Sequence, residues 1–147
     1  MANKTYKATV TSIEGYEVES QVRDFNATLD EPLSSGGTNK GINPVETLLS
    51  ALGACETMVA KSFAKSQGIV LRRIKVEVQG VLDSDGYTGK NSNAKVGFSK
   101  LTSKFYVDAD NTEEEVKEYI DFVTKHCPVH DTIENAPEFE DKVLTYE

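Results

Sequence analysis

Apolar and polar positions alternate loosely across residues 5–13 and again across residues 16–22, with Glu14-Gly15 between the two runs. β-Branched residues in both runs and a glycine at the junction predict a hairpin. Residues 30–43 read Asp-Glu-Pro-Leu-Ser-Ser-Gly-Gly-Thr-Asn-Lys-Gly-Ile-Asn, rich in turn formers and without apolar periodicity, which makes them a loop. These glycines lack the Gly-Lys-Ser/Thr ending and the preceding strand of a phosphate-binding loop. Backbone freedom at a tight crossing of the chain explains them better.

The period changes at Asn43, a good N-cap residue followed by Pro44 at the first helical position and by Glu46, which can reach back to the cap's N–H. Leu48, Leu52, Cys55 and Val59 recur at steps of four, three and four, predicting a helix over residues 44–67 that stops near Gly68. Cys55 then lies on the apolar stripe. Such a helix is roughly 36 Å long, which is long for this chain, and Gly53 within it predicts another backbone passing close by. Residues 69–82 and 95–107 carry Val, Ile, Leu and Phe among polar positions and read as strands. The polar stretch between them, residues 83–93, has its glycine at the wrong place for a calcium loop and is read as a hairpin connection. Thr112 and Glu115 form a second capping box, and Val116, Ile120, Val123 and Cys127 repeat the four, three, four spacing of the first helix. Pro128 closes that segment, and a last strand is expected over residues 139–146. The whole reads as one domain, residues 1–147.

Composition narrows the function. The chain has 147 residues, enough for one self-supporting domain, and carries 16 Lys and Arg against 24 Asp and Glu, a formal charge of −8. Nucleic acid and anionic membrane surfaces demand the opposite charge, so neither is an expected partner. No amino-terminal apolar run resembles a secretory signal and no stretch is long enough to span a bilayer, so a cytoplasmic location is expected. In a reducing compartment two cysteines, Cys55 and Cys127, are either inert small hydrophobes or reactive thiols. Their neighbours favour reactivity. His126-Cys127-Pro128-Val129-His130 puts two imidazoles near a thiol, and Asn43-Pro44-Val45-Glu46 opens the helix that carries the other.

The run Gly41-Ile-Asn-Pro-Val-Glu-Thr-Leu-Leu-Ser-Ala-Leu-Gly-Ala-Cys55 resembles the signature of the OsmC/Ohr superfamily, and Cys127-Pro-Val-His resembles its second motif. Asp30-Glu-Pro, Gly36-Gly37 and the order of elements extend the resemblance over nearly the whole chain. It implies an α+β fold with antiparallel sheets around two long central helices in an intertwined homodimer, with a reactive site at the subunit interface. It also implies a thiol peroxidase that acts on organic hydroperoxides. Cys55 would become a sulfenic acid, Cys127 would condense with it to a disulfide, and a dithiol reductant would reopen the bond, with no metal or flavin cofactor.

The resemblance implies one further pair. A nucleophile in mid-helix needs a nearby cation, and in the family an Arg from an earlier segment, held by a Glu directly after Asn-Pro, supplies it. Here Val45 follows Asn43-Pro44 and Glu46 comes one place later, about 100° further round the helix. Glu46 is the candidate catalytic carboxylate as well as a cap. Nine residues separate it from Cys55, roughly 13 Å along the axis, so it would serve the cysteine of a partner subunit. The candidate cations are Arg23, Arg72, Arg73 and the two histidines. Two other readings of the same residues stand beside the peroxidase. One is a non-catalytic dimeric module of the same fold that holds a small apolar ligand. The other is a zinc site of Cys55, Cys127 and His126 or His130, which lacks the paired, close-spaced ligands of structural zinc.

Overall fold

The computed structural model describes residues 2–146. The chain divides into two compact units, with the boundary between Leu49 and Ser50.

The first unit is a three-stranded antiparallel meander, β1 (Thr9–Ser12), β2 (Val18–Val22) and β3 (Phe25–Leu29), in the order β1-β2-β3. The predicted hairpin is β1 and β2, with Thr9 opposite Gln21 and Ser12 opposite Val18, and its turn uses Gly15 at φ 59°. The first strand is shorter than the alternation suggested. The third strand, paired from Val18–Leu29 to Val22–Phe25, was not foreseen, because its turn is made by Arg23 at φ 54° where no glycine advertises it.

A short 3₁₀ turn, Leu33–Ser35, follows in the predicted loop. Its organiser is Asp30, which is fully buried and whose carboxylate accepts four hydrogen bonds. They come from the Glu31 N–H (2.8 Å), the Thr38 N–H (3.2 Å) and hydroxyl (2.5 Å), and the Lys40 N–H (3.2 Å). The Thr38 hydroxyl, opposed by burial and helped by the backbone donors, holds the Asp30 carboxyl below its ordinary value. The tight crossing is present. A Cβ on Gly37 would stand 2.0 Å from the Glu31 carbonyl oxygen, and one on Gly41 would stand 2.2 Å from that of Thr28. Gly37→Ala therefore requires backbone to move, and is expected to cost about 1–3 kcal/mol in urea denaturation.

Helix α1 (Pro44–Phe63) starts in the first unit and continues in the second. Its capping box forms as read: Glu46 Oε1 accepts the Asn43 N–H and Asn43 Oδ1 accepts the Glu46 N–H, both at 2.9 Å. The helix ends four residues earlier than expected. Non-helical turns then lead to Gly68 at φ 72°, a conformation that terminates a helix without strain only for glycine.

In the second unit β4 (Leu71–Leu82) and β5 (Phe98–Ala109) form a long two-stranded antiparallel ribbon, running from Leu71 opposite Ala109 to Leu82 opposite Phe98. The connection between them contains a four-residue helix, α2 (Ser84–Tyr87), capped by Asp83. The stretch that passes Gly53 is β4: a Cβ there would lie 3.2 Å from the Val78 side chain. Helix α3 (Glu113–Lys125) carries the predicted Thr112–Glu115 capping box. Ala60, Ala64, Ile69, Tyr119 and Val123 form the core where α1 meets α3, and the buried Tyr119 hydroxyl donates to the Ala60 carbonyl.

Pro128 closes the α3 segment as read, with Cys127 before it in extended geometry, but it also occupies the first position of a further helix that was not foreseen, α4 (Pro128–Glu134), where its missing N–H costs nothing. The expectation of a last strand fails. Residues 139–146 form no strand. Their apolar residues are highly exposed, and no neighbouring strand edge takes them up among the described residues.

Candidate functional site

Both cysteines are free thiols in the second unit, Cys55 half-buried on α1 and Cys127 buried. The apolar stripe of α1 is not in the phase that the leucines suggested. Leu52, Glu56 and Ala60 are its buried residues, whereas Leu48 is exposed and Cys55 sits at the margin of the stripe. A half-buried thiol beside a packed face is reachable by substrate while its backbone is held rigidly.

Cys127 is not on α3. That helix ends at His126, and Cys127 stands between α3 and α4 as the N-cap of α4, in extended geometry. Proline at the next position disfavours helical geometry at Cys127 and so produces the break between the helices. The Cys127 Sγ accepts the His130 N–H at 3.5 Å, doing with sulfur what a serine oxygen does at an N-cap. Burial first, and then the adjacent Cys55 thiol through a hydrogen bond and its charge, push the Cys127 thiol up to about 11, with the His130 and Val129 N–H groups opposing. Cys55 and Cys127, drawn from two separate elements, are thus within interacting reach of each other.

The histidines take different places. His126 is exposed at the end of α3, its Nδ1–H donating to the Phe122 carbonyl at 2.8 Å and its ring stacked on Phe122 with centroids 4.0 Å apart. It serves the carbonyl end of the helix. His130 faces the other way along α4, its Nδ1 3.3 Å from Glu134. Among the described residues no three His, Cys, Asp or Glu side chains cluster as metal ligands do, so the zinc set considered from the spacing does not assemble.

Of the candidate cations, Arg72 pairs with Asp108 and Asp110 and Arg73 with Asp108, all at the start of the ribbon. Arg23 makes no ion pair among the described residues and lies over the Phe25 ring, 5.0 Å from its centroid. Glu46 is exposed, with Oε1 committed to the capping box.

One residue escaped the sequence reading altogether. Glu56, next to Cys55 in the chain, is fully buried, with Oε1 accepting the Ser103 hydroxyl at 2.8 Å and Oε2 without a hydrogen-bond partner among the described residues. Burial raises its carboxyl above the ordinary value, with the Ser103 hydroxyl and the nearby His130 opposing. The only available signal was its spacing of four from Leu52 and from Ala60, which a charged side chain disguises.

Comparison with known proteins places these features in context. The family model described as OsmC-like protein matches residues 37–141. The chain is 31% identical over 141 residues to a hydroperoxide reductase of Mycoplasma genitalium, covering 94% of this chain and 93% of that one. It is 30% identical, with the same coverage, to a hydroperoxide reductase of Mycoplasma pneumoniae. The crystal structure of an OsmC-like protein from Mycoplasma pneumoniae superposes with a TM-score of 0.81 at 29% identity, covering 92% of this chain and 91% of that chain.

Proposed function

The chain belongs to the OsmC-like protein family, and from that premise we propose that it is a thiol-dependent peroxidase for organic hydroperoxides, working as a homodimer in defence against oxidants. The observation that carries the reading is the pairing of a half-buried Cys55 with a buried Cys127 close enough to raise its pKa. Relatives named hydroperoxide reductase along almost the whole chain support the substrate class.

In the proposed cycle the Cys55 thiolate attacks the terminal oxygen of R–O–O–H. An S–O bond forms, the O–O bond breaks, and the departing alkoxide takes a proton to leave as the alcohol. The Cys127 thiolate then attacks the Cys55 sulfur, forming the disulfide and expelling hydroxide, which is protonated to water. A dithiol reductant restores both thiols by exchange. Arg23 is the favoured activating cation, since Arg72 and Arg73 are already held by carboxylates. Glu46, one place and about 100° round the helix from the position of the family's Glu, retains Oε2 for orienting a guanidinium at the cysteine of a second copy.

The dimer is supported by apolar side chains that one chain leaves in water. Tyr6, Val10, Tyr16, Phe25 and Leu33 are exposed in the first unit, and Phe139, Leu144 and Tyr146 near the carboxyl end. Surfaces of this kind mark partner contacts, and a second copy is the partner proposed. The test is direct. Fully reduced protein mixed with one equivalent of cumene hydroperoxide is expected to lose both thiols per chain and to regain them with a dithiol. Two thiols remaining after that treatment would overturn the peroxidase reading.

A further inference from the structure

A cavity of about 320 Å³ lies between α1, β5 and α4, beside the thiol pair but not lined by either cysteine. Leu52, Leu101, Phe105 and Ile133 make its apolar walls, Glu56 and Ser103 supply polar groups, and His130 and Glu134 stand on α4. We propose that this cavity is a binding site for a small organic ammonium ion, whose nitrogen pairs with Glu56 Oε2 while its hydrocarbon part packs against the apolar walls.

The argument starts from the orphaned oxygen. A buried carboxylate oxygen without a donor costs free energy that a ligand's N–H would recover, and Glu56 Oε2 is such an oxygen, on a residue that lines a space large enough for a ligand. The charges around it decide the ligand's sign. Two carboxylates, Glu56 and Glu134, line the cavity against a single basic group, His130, which is itself engaged by Glu134. No Lys or Arg lines it, so what the site lacks is a positive charge. A bare metal ion is the wrong complement, because the walls are hydrocarbon and Glu56, His130 and Glu134 do not cluster as metal ligands do among the described residues. An organic cation satisfies both halves. The chain's formal charge of −8 also favours the approach of a cation.

Binding has a pH signature. The groups facing Glu56 are the Ser103 hydroxyl from β5 and His130 and Glu134 from α4. Because burial raises the Glu56 carboxyl, an ammonium ligand must displace its proton over a range above the usual carboxylate value. Affinity therefore rises with pH through that range, and binding releases a proton.

The experiment is calorimetric titration of the full, reduced protein with benzylamine, alongside benzyl alcohol as a neutral probe of the same shape. Saturable benzylamine binding is expected, at least about tenfold tighter than that of benzyl alcohol, because a charge-assisted hydrogen bond is roughly twice as strong as a neutral one. Affinity should increase with pH in the wild-type protein and depend on pH less steeply in Glu56→Gln, where only His130 and Glu134 still titrate, and which should also bind about tenfold more weakly. Ile133→Trp, which fills the cavity and leaves Glu56 in place, should abolish binding. Equal affinity for the amine and the alcohol, indifference to both substitutions, a pH-independent wild-type affinity or no saturable binding would each overturn the proposal.

Discussion

Replacing Cys55 with serine lowers turnover of an organic hydroperoxide by on the order of a thousandfold or more, the scale seen when a covalent nucleophile is removed. A thiol reaches its nucleophilic anion within a few pH units of neutrality, whereas a serine hydroxyl does not. Serine is nearly isosteric with cysteine, and the residue sits half-buried at the edge of the packed stripe, so the helix should remain intact. The contrast with Cys127→Ser separates the two roles. That variant should consume one equivalent of peroxide per chain and then stop, with Cys55 held as a sulfenic acid that a sulfenate-specific reagent such as dimedone captures. Sustained turnover by Cys55→Ser, measured as cumene hydroperoxide loss in the presence of dithiol, would remove Cys55 from the mechanism.

Much of the scaffold around these thiols is written in local chemistry. Both capping boxes, Asn43 with Glu46 and Thr112 with Glu115, are satisfied within a single turn, and the structure reproduces them. The first hairpin and the long ribbon are carried by alternation and by turn residues that lie next to the strands they join. What failed depends on information that is not local. β3 follows a turn at Arg23 that pays for left-handed geometry without glycine, so nothing in the turn announces it. Pro128 ends α3 as read, but α4, which starts at the same proline, was missed because only the chain beyond it shows that a helix begins there. The final strand was read from apolar residues that stay exposed because a strand needs an edge to pair with.

The candidate site shows the same division. The two cysteines were visible as residues on two like-spaced apolar stripes, which allow the thiols to meet, and the family resemblance implied that they do. The phase of α1 was missed because leucine at position 48 is exposed while glutamate at position 56 is buried, the reverse of what side-chain polarity predicts. A helix face is defined by what packs on it. Ser103 on β5, forty-seven residues further on, is what makes a buried carboxylate tolerable there.

The disulfide-forming step should accelerate about tenfold for each pH unit above neutrality, because it requires the Cys127 thiolate and the thiol is held up at about 11 in the reduced protein. Burial is the largest cause and persists through the cycle. The next cause, the Cys55 thiol with its charge, disappears once Cys55 has become a neutral sulfenic acid. Oxidation at Cys55 thus lowers the barrier to ionising Cys127 at the moment its thiolate is needed, helped by the His130 and Val129 N–H groups that face its sulfur. Two titrations separate these contributions. In the reduced wild-type protein, alkylation of Cys127 by iodoacetamide should rise with pH toward a midpoint near about 11. In Cys55→Ser, where the thiolate's repulsion is absent and the burial unchanged, the midpoint should fall but stay above the unperturbed thiol value of about 8.5. Rapid-mixing measurement of disulfide formation from the sulfenic acid should follow the lower of the two curves. An identical midpoint in both proteins would mean that Cys55 exerts no control over Cys127, and would break the coupling on which the proposed cycle turns.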